Sequence, residues 1–375
     1  MYVYLIATVL TSILLFIDEK FHTKYKDATD KSIKNRYRWL FILFLVLSII
    51  PYFFVSAFRY GVGTDYFYGY YPGFYQTMAG NDKFFTEIPF DYLMKLLTLI
   101  TDEAQILFIV TSAIFNIFMI LAVIKMTKHW YIGGALILLS NVYLISLNNI
   151  RQYCATALCI YAFSFACDRK YIRCLIFAGL GFCFHYTSLC LIPLYLVAGF
   201  RKLRGPFFYV LLVLLALSPG FVPLARLILK NTRYISYFVA ENDNDIPIYW
   251  YMLPSGAIAL ISLVFYKKLS TINNYAFGLI VGIVIAFGIS ISSFFLTVNE
   301  TMSRACNWYY WSVIFLIPLM VDMTKKKDLN LLMASIAFVL VTAGTYYMIV
   351  KLGHHEVLPY RWWFDPSIII WGLLK

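Results

Sequence analysis

Charge is what this sequence has least of. Of its 375 residues only 13% are charged and 62% are hydrophobic, whereas a soluble domain carries about 25% charged residues. No stretch is both polar enough and long enough to build a soluble domain of its own. The seven cysteines (154, 159, 167, 174, 183, 190 and 306) form no Cys-x-x-Cys pair, so neither a redox motif nor a zinc ribbon is on offer, and the thiols read as small hydrophobes in packed helices. The first apolar segment, YVYLIATVLTSILLFI, lacks a basic flank and a small-residue cleavage site and reads as a retained helix. There is no internal repeat of 20–50 residues and no low-complexity linker. What remains is one apolar run after another, each near the length of about 20 residues that crosses a bilayer. The fold class that follows is all-α: a polytopic membrane helical bundle over residues 1–375, with about 10–12 transmembrane helices. Lipid forbids unpaired backbone groups, and the runs are too long and too uniformly apolar for barrel strands.

The net charge of +12 invites a nucleic-acid reading, and its placement argues against one. The loops at 18–38, 125–129, 168–173, 200–206, 267–268 and 322–328 together hold 20 Lys and Arg against 7 Asp and Glu, and the rest of the chain holds 11 against 12. That asymmetry is the positive-inside pattern. It makes the basic loops cytoplasmic, the N-terminus external, and the membrane rather than nucleic acid the partner surface.

The expected spans are 2–17, 39–58, 105–124, 131–147, 150–167, 248–266, 273–297, 308–323 and 329–350. Residues 88–100, IPFDYLMKLLTLI, are too short and too charged to cross and predict an interfacial or re-entrant helix on the outer face. Between the basic DRKYIR and the acidic ENDND the chain must cross an odd number of times. Either 174–199 forms a hairpin and 207–229 crosses once, or 174–199 crosses once and 207–229 dips and returns at Ser218-Pro219-Gly220. The basic cluster at Arg201 to Arg204 favours the hairpin.

With this topology the unusual residues collect on the outer side, with the loops 59–104 and 221–247 forming part of that face. Arg59 and Asp65 open the first outer loop. Arg151 follows Asn148-Asn149-Ile150 at a tight turn between spans. Arg226, Lys230 and Arg233 lie in an amphipathic stretch, Arg304 in NETMSRACNWYYW, and Tyr360-Arg361 after the last full span. A single Arg at a helix end commonly snorkels to the headgroups. Arg151 and Arg304 are harder to dismiss, because holding a guanidinium inside the membrane costs about 2.5–3.5 kcal/mol, and Glu300 near Arg304 is the only acid one turn from either. Converging guanidinium forks fit phosphate oxygens with paired hydrogen bonds, and fixed cations can balance the charge of a diphosphate leaving group without a metal. Lipid-linked diphosphates are the phosphates met at that surface.

The same outer loop carries Tyr60, Tyr66, Phe67, Tyr68, Tyr70, Tyr71, Phe74 and Tyr75 among four glycines and Pro72. An interfacial aromatic belt is the ordinary explanation, but eight rings in one loop also suit a wall for sugars, whose faces stack on aromatics. His185 is either a satisfied helix contact or a general base titrating near neutral pH. His354-His355-Glu356 lacks the spacing and third ligand of a metal site, so no metal is assigned. Asp243-Asn244-Asp245, nominally an Asp-x-Asp pattern, reads as a solvated turn in a polar outer loop.

Four stretches carry a resemblance to a known family: Arg59 with Gly63-Thr64-Asp65 and Tyr68; Asn149-Ile150-Arg151-Gln152 with Ala155; Phe184-His185-Tyr186-Thr187-Ser188-Leu189; and Arg304 with Tyr309, Tyr310 and Pro318. In order and spacing, over residues 50–360 and on to Pro359-Tyr360, the chain resembles the EpsG family, which is similar to Wzy-type polysaccharide polymerases. One departure stands out. Where the family often shows Glu near Gly-Tyr or Gly-Phe, this chain has Glu87-Ile88-Pro89-Phe90, and Glu87 receives no role. The resemblance implies a glycosyltransferase that joins oligosaccharide repeat units carried on undecaprenyl diphosphate at the outer face of the bacterial cytoplasmic membrane. It uses no nucleotide sugar and no soluble cofactor, and a chain-length regulator is a further expected partner. Arg151 and Arg304, assisted by Arg59, would hold the donor diphosphate. His185 would take the acceptor proton, with Asp65 as the rival base, and Tyr66, Tyr68, Tyr71, Gln152 and Tyr309 would grip sugars. A flippase for lipid-linked sugars, a glycan ligase and a membrane acyltransferase are the rival classes.

Overall fold

The computed structural model describes residues 1–81, 84–199, 217–231, 249–296 and 299–365, with single positions at 210, 214 and 235. Arg201 to Arg204, Arg233 and Asp243-Asn244-Asp245 lie outside the described residues, as does most of the stretch that decides between the two packings of 174–229. The described chain is helical. Its one departure is an antiparallel bridge pairing Arg59 with Trp362.

In chain order the α-helices are α1 (Tyr2–Asp27), α2 (Lys31–Ala57), α3 (Tyr71–Met78), α4 (Ile88–Thr98), α5 (Gln105–Met126), α6 (Trp130–Leu139), α7 (Val142–Ser146), α8 (Ile150–Cys167), α9 (Tyr171–Phe184), α10 (Ile192–Gly199), α11 (Phe221–Leu229), α12 (Tyr249–Val264), α13 (Tyr266–Ile272), α14 (Ala276–Leu296), α15 (Asn299–Tyr310), α16 (Ser312–Met320) and α17 (Lys327–Tyr346). Two π-helical turns, Tyr66–Tyr70 and Tyr347–Lys351, and three 3₁₀ turns, Tyr186–Leu191, Ser218–Gly220 and His354–Glu356, join them.

Among the described residues five helices are long and apolar enough to cross a membrane, and the pair Trp250–Val264 and Tyr266–Ile272, bent by 84°, makes a sixth if it is one broken span. This is a multi-pass membrane protein and a polytopic helical bundle. Two of the expected spans are broken within the described residues. The expected span 131–147 is interrupted at Asn141, whose φ of 68° is left-handed, leaving helices of 10 and 5 residues. The expected span 308–323 is divided where α15 gives way to α16 at Trp311. By contrast α4 is the short element foreseen at 88–100: 11 residues, about 16 Å at 1.5 Å per residue.

The chain forms two compact units. One comprises Met1–Ala162, Ile172–Leu189 and Gly353–Lys375, and the other Phe163–Tyr171 and Cys190–Leu352. In the first, Asp30 caps α2 by accepting from the backbone amides of Ser32 and Ile33, each at 2.9 Å, which satisfies two of the donors a helix start leaves open. Buried polar contacts then fix the helix packing. The Tyr52 hydroxyl lies 3.1 Å from Thr8 of α1 and donates to the Gly134 carbonyl of α6 at 2.9 Å. The Tyr143 hydroxyl donates to the Tyr52 carbonyl at 2.7 Å, and the Asn116 amide of α5 to Ser56 at 3.0 Å. In the second unit α14 is buried along most of its length, Tyr251 meets Tyr310 edge to face at 5.2 Å, and Trp250 stacks on Tyr347 at 4.1 Å.

Candidate functional site

The site residues all lie in the first unit, at the start of α8, at the end of α9 and in the loop before α4. Helices α8 and α9 are joined by a short turn, so the start of α8 lies beside the end of α9. They approach closely at Gly181, where an added Cβ would lie 2.6 Å from the Cys159 sulfur and 3.1 Å from the Ala155 carbonyl oxygen, a spacing that suits glycine. Ala155 is one turn after Arg151 and Gly181 one turn before His185. The contact therefore brings Arg151 and His185 side by side. His185 ends the helix, its amide donating to Gly181 at 3.0 Å.

The loop before α4 supplies the third member. Glu87 is the N-cap of α4, but its carboxylate does not cap the helix. One oxygen lies 2.5 Å from Nδ1 of His185 and the other accepts from Nη1 of Arg151. Neighbours hold the loop in place: Tyr186 accepts from the Ile88 amide at 3.2 Å and Asp91 from the Phe85 amide at 3.0 Å. The Arg151 guanidinium lies over Phe85 at 4.5 Å and Phe90 at 5.9 Å, a cation–π arrangement that suits arginine. Its Nε is buried without a hydrogen-bond partner. The Glu87 side chain is 4% exposed, and those of Arg151 and His185 are each 23% exposed. The carboxylate is thus the buried keystone, and the guanidinium and the imidazole reach the surface.

Electrostatics and tautomer follow from this geometry. Burial pushes the Glu87 carboxyl up, but the hydrogen bond from His185 and the charge of Arg151 outweigh it and hold the group below its usual range. An ionised carboxylate can only accept, so Nδ1 of His185 carries a proton. In the neutral imidazole the lone pair is then on Nε2, the state a general base needs.

The other expected residues are placed differently. Arg59 is 1% exposed. It donates to the Ser56 carbonyl and to the Leu147 carbonyl at 3.1 Å and lies over Phe108 at 4.8 Å. A guanidinium enclosed in this way fastens backbone segments to one another and lies away from Glu87, Arg151 and His185. Tyr66 is likewise in the core, stacked on Phe108 at 4.3 Å. Tyr70 and Phe74 are buried with it, so much of the aromatic run is the floor beneath the Glu87 loop. Tyr71 is half-buried, and Tyr68 is 87% exposed on its π-helical turn. Gln152 is buried. Asp65 is half-buried, and its amide donates to Asn148 at 2.7 Å. In the second unit Arg304 is exposed on α15, and Tyr309 is buried with its hydroxyl donating to the Cys190 carbonyl. Among the described residues no group of three or more His, Cys, Asp or Glu could hold a metal ion.

The family model described as the EpsG family matches residues 42–362. The chain belongs to the EpsG family. No curated protein and no solved structure matches it. Membership makes it a Wzy-like polymerase family member, tied to polysaccharide biosynthesis and to a lipid-linked polysaccharide substrate. In this EpsG-family chain Glu87 is the residue the sequence reading left without a role. The available signal was its place: an acid at the start of a short helix, in the same loop as the aromatic run and expected on the same side of the membrane as Arg151.

Proposed function

We propose that this EpsG-family protein is a glycosyltransferase at the outer face of the bacterial cytoplasmic membrane, which polymerises repeat units carried on undecaprenyl diphosphate. The observation that carries the reading is the single buried carboxylate shared by a half-exposed guanidinium and a half-exposed imidazole. Glu87 holds His185 in the tautomer that can accept a proton and fixes Arg151 beside it.

In the proposed step Nε2 of His185 takes the proton of the acceptor hydroxyl. The acceptor oxygen bonds to the anomeric carbon of the donor sugar, and the bond from that carbon to the diphosphate breaks. The diphosphate leaves with the electron pair, its charge met by the N–H groups of Arg151 that do not bind Glu87. Glu87 then stabilises the imidazolium until the proton is released. Asp65 is the alternative base. Arg304, exposed on α15, is proposed as a contact for an anionic group. Tyr68, and Tyr71 less fully, offer rings for sugar faces.

The test is to incubate purified protein with synthetic lipid-linked repeat units in the absence of nucleotide sugar and metal. A ladder of products that disappears in Arg151→Ala at normal protein level supports the reading. A protein that makes no ladder but moves such lipids across proteoliposomes would be a flippase, and the reading would fall.

A further inference from the structure

We infer that Asn148, through its bonds to the Gly63-Thr64-Asp65 turn and to His355, is a positioning residue that holds Arg151 in its working place. This rests on the reading of Arg151 given above. Asn148 is buried in the elbow between α7 and α8, three residues before Arg151. Its Oδ1 accepts from the Thr64 hydroxyl at 2.8 Å and from the Asp65 amide at 2.7 Å. Its Nδ2 lies 2.9 Å from Nδ1 of His355 and 3.3 Å from Oδ1 of Asn149. The Asp65 amide can only donate, which fixes the orientation of the carboxamide. Nδ2 therefore donates, and Nδ1 of His355 must accept. Every hydrogen-bonding position of this side chain is filled.

The three segments that Asn148 joins are fastened to one another as well. The Thr64 amide donates to the His355 carbonyl at 3.1 Å, the Gly63 amide to Glu356 at 3.4 Å, the Tyr60 amide to Arg361 at 3.0 Å, and the Trp363 amide to Phe58 at 2.8 Å. The turn comes so near the elbow that a Cβ on Gly63 would lie 2.9 Å from the Leu147 carbonyl oxygen. That same oxygen accepts from Arg59. So the Arg59 and Gly-Thr-Asp motif, together with residues 353–365, forms a clamp on the elbow. Asn148 is the only side chain in the contacts above that bonds to both the turn and the C-terminal segment. Beyond the elbow the Arg151 amide donates to the Tyr70 hydroxyl at 3.4 Å, a long bond, so the elbow is the chain's direct link from the clamp to Arg151. Loosening Asn148 therefore moves Arg151 relative to Glu87 and His185, and a displacement of about 1 Å at a site costs on the order of 10²-fold in rate.

The experiment compares wild type, N148A, N148D, H355N and the double variant N148D/H355N for ladder formation, apparent KM and melting temperature in detergent. N148D keeps both acceptor bonds, and because an imidazole can carry its proton on either nitrogen, His355 can turn donor at Nδ1 and keep the third. N148A removes all of them, H355N retains an acceptor for Asn148, and in the double variant the new amide donates to the new carboxylate. The expected result is turnover reduced about 10- to 100-fold in N148A with KM for the acceptor little changed. N148D, H355N and N148D/H355N should each stay within about threefold of wild type. Recovery of turnover in N148D over N148A at an equal melting temperature is not expected of a role in folding alone. If wild type forms a ladder and N148A matches it, the inference is overturned while the polymerase reading stands; the same follows if the loss in N148A tracks loss of folded protein, or if N148D loses as much turnover as N148A. If wild type forms no ladder, the polymerase reading fails first and the inference fails with it.

Discussion

Glu87→Gln is the perturbation that separates geometry from charge. The change is nearly isosteric, so the loop and α4 should keep their packing. The carboxamide, however, has one acceptor where the carboxylate has two. Arg151 can only donate, so the amide oxygen turns to Arg151 and the amide nitrogen to His185. Nδ1 of His185, 2.5 Å from the carboxylate in the native protein, must then accept a hydrogen bond. That forces the proton onto Nε2, the nitrogen required as base. In a serine-protease triad the equivalent swap lowers turnover about 10⁴-fold. The Arg151 bond is retained here and His185 is 23% exposed, so water can support a minority tautomer. A loss of about 10²- to 10⁴-fold is expected, or about 3–5.5 kcal/mol at 1.36 kcal/mol per tenfold. Affinity for a short-chain polyprenyl diphosphate should fall much less. The assay is the initial rate of ladder formation by purified protein at pH 7, with melting temperature and diphosphate affinity measured on the same preparation. Turnover within about threefold of wild type would refute the tautomer argument, and with it the assignment of His185 as base.

Arg59→Ala should act on stability: it leaves two buried carbonyls without donors and opens a cavity, for a cost of about 2–5 kcal/mol. Diphosphate affinity of the surviving folded protein should be unchanged, and an affinity loss without a drop in melting temperature would restore Arg59 to the substrate site. Tyr68→Ala, at an exposed ring, should leave melting temperature alone and raise the acceptor KM about threefold to tenfold, the worth of one aromatic contact. Arg304→Ala should lower turnover without lowering melting temperature, because the side chain is exposed; normal polymer from this variant removes Arg304 from the proposal. The Glu87 carboxyl is held below its unfolded value, so its contribution to stability is in full force above the unfolded pKa of about 4.3 and is lost as pH falls through the lower folded value. Wild type should accordingly show an acid-unfolding component below about pH 4 that is absent in Glu87→Gln, with no change between pH 5 and 8.

The bundle was legible because its signals are local. Hydrophobic length marks α1, α2, α5, α14 and α17, and a short apolar helix with an internal Asp and Lys marks α4. The broken spans were not, since the left-handed Asn141 depends on packing that a hydropathy window does not see. In the site, Arg151 and His185 stood out as polar groups out of place in apolar surroundings. Their partner did not, because Glu87 is 64 residues from Arg151 and 98 from His185, and only the close approach of α8 and α9 shows that one carboxylate serves both. Burial was the other blind spot. Arg59, Tyr66 and Tyr309 have the same chemistry whether they face a substrate or a backbone carbonyl, and the sequence carries no mark of which.

The most direct measurement is a cryo-EM map of the protein with a bound polyprenyl diphosphate, at a resolution that shows side chains. The account requires the Glu87 carboxylate to lie within hydrogen-bonding distance of both Arg151 and His185, with phosphate density against the opposite edge of the Arg151 guanidinium. A map in which Glu87 is turned away from His185, or in which the diphosphate sits elsewhere with Arg151 untouched, would contradict it.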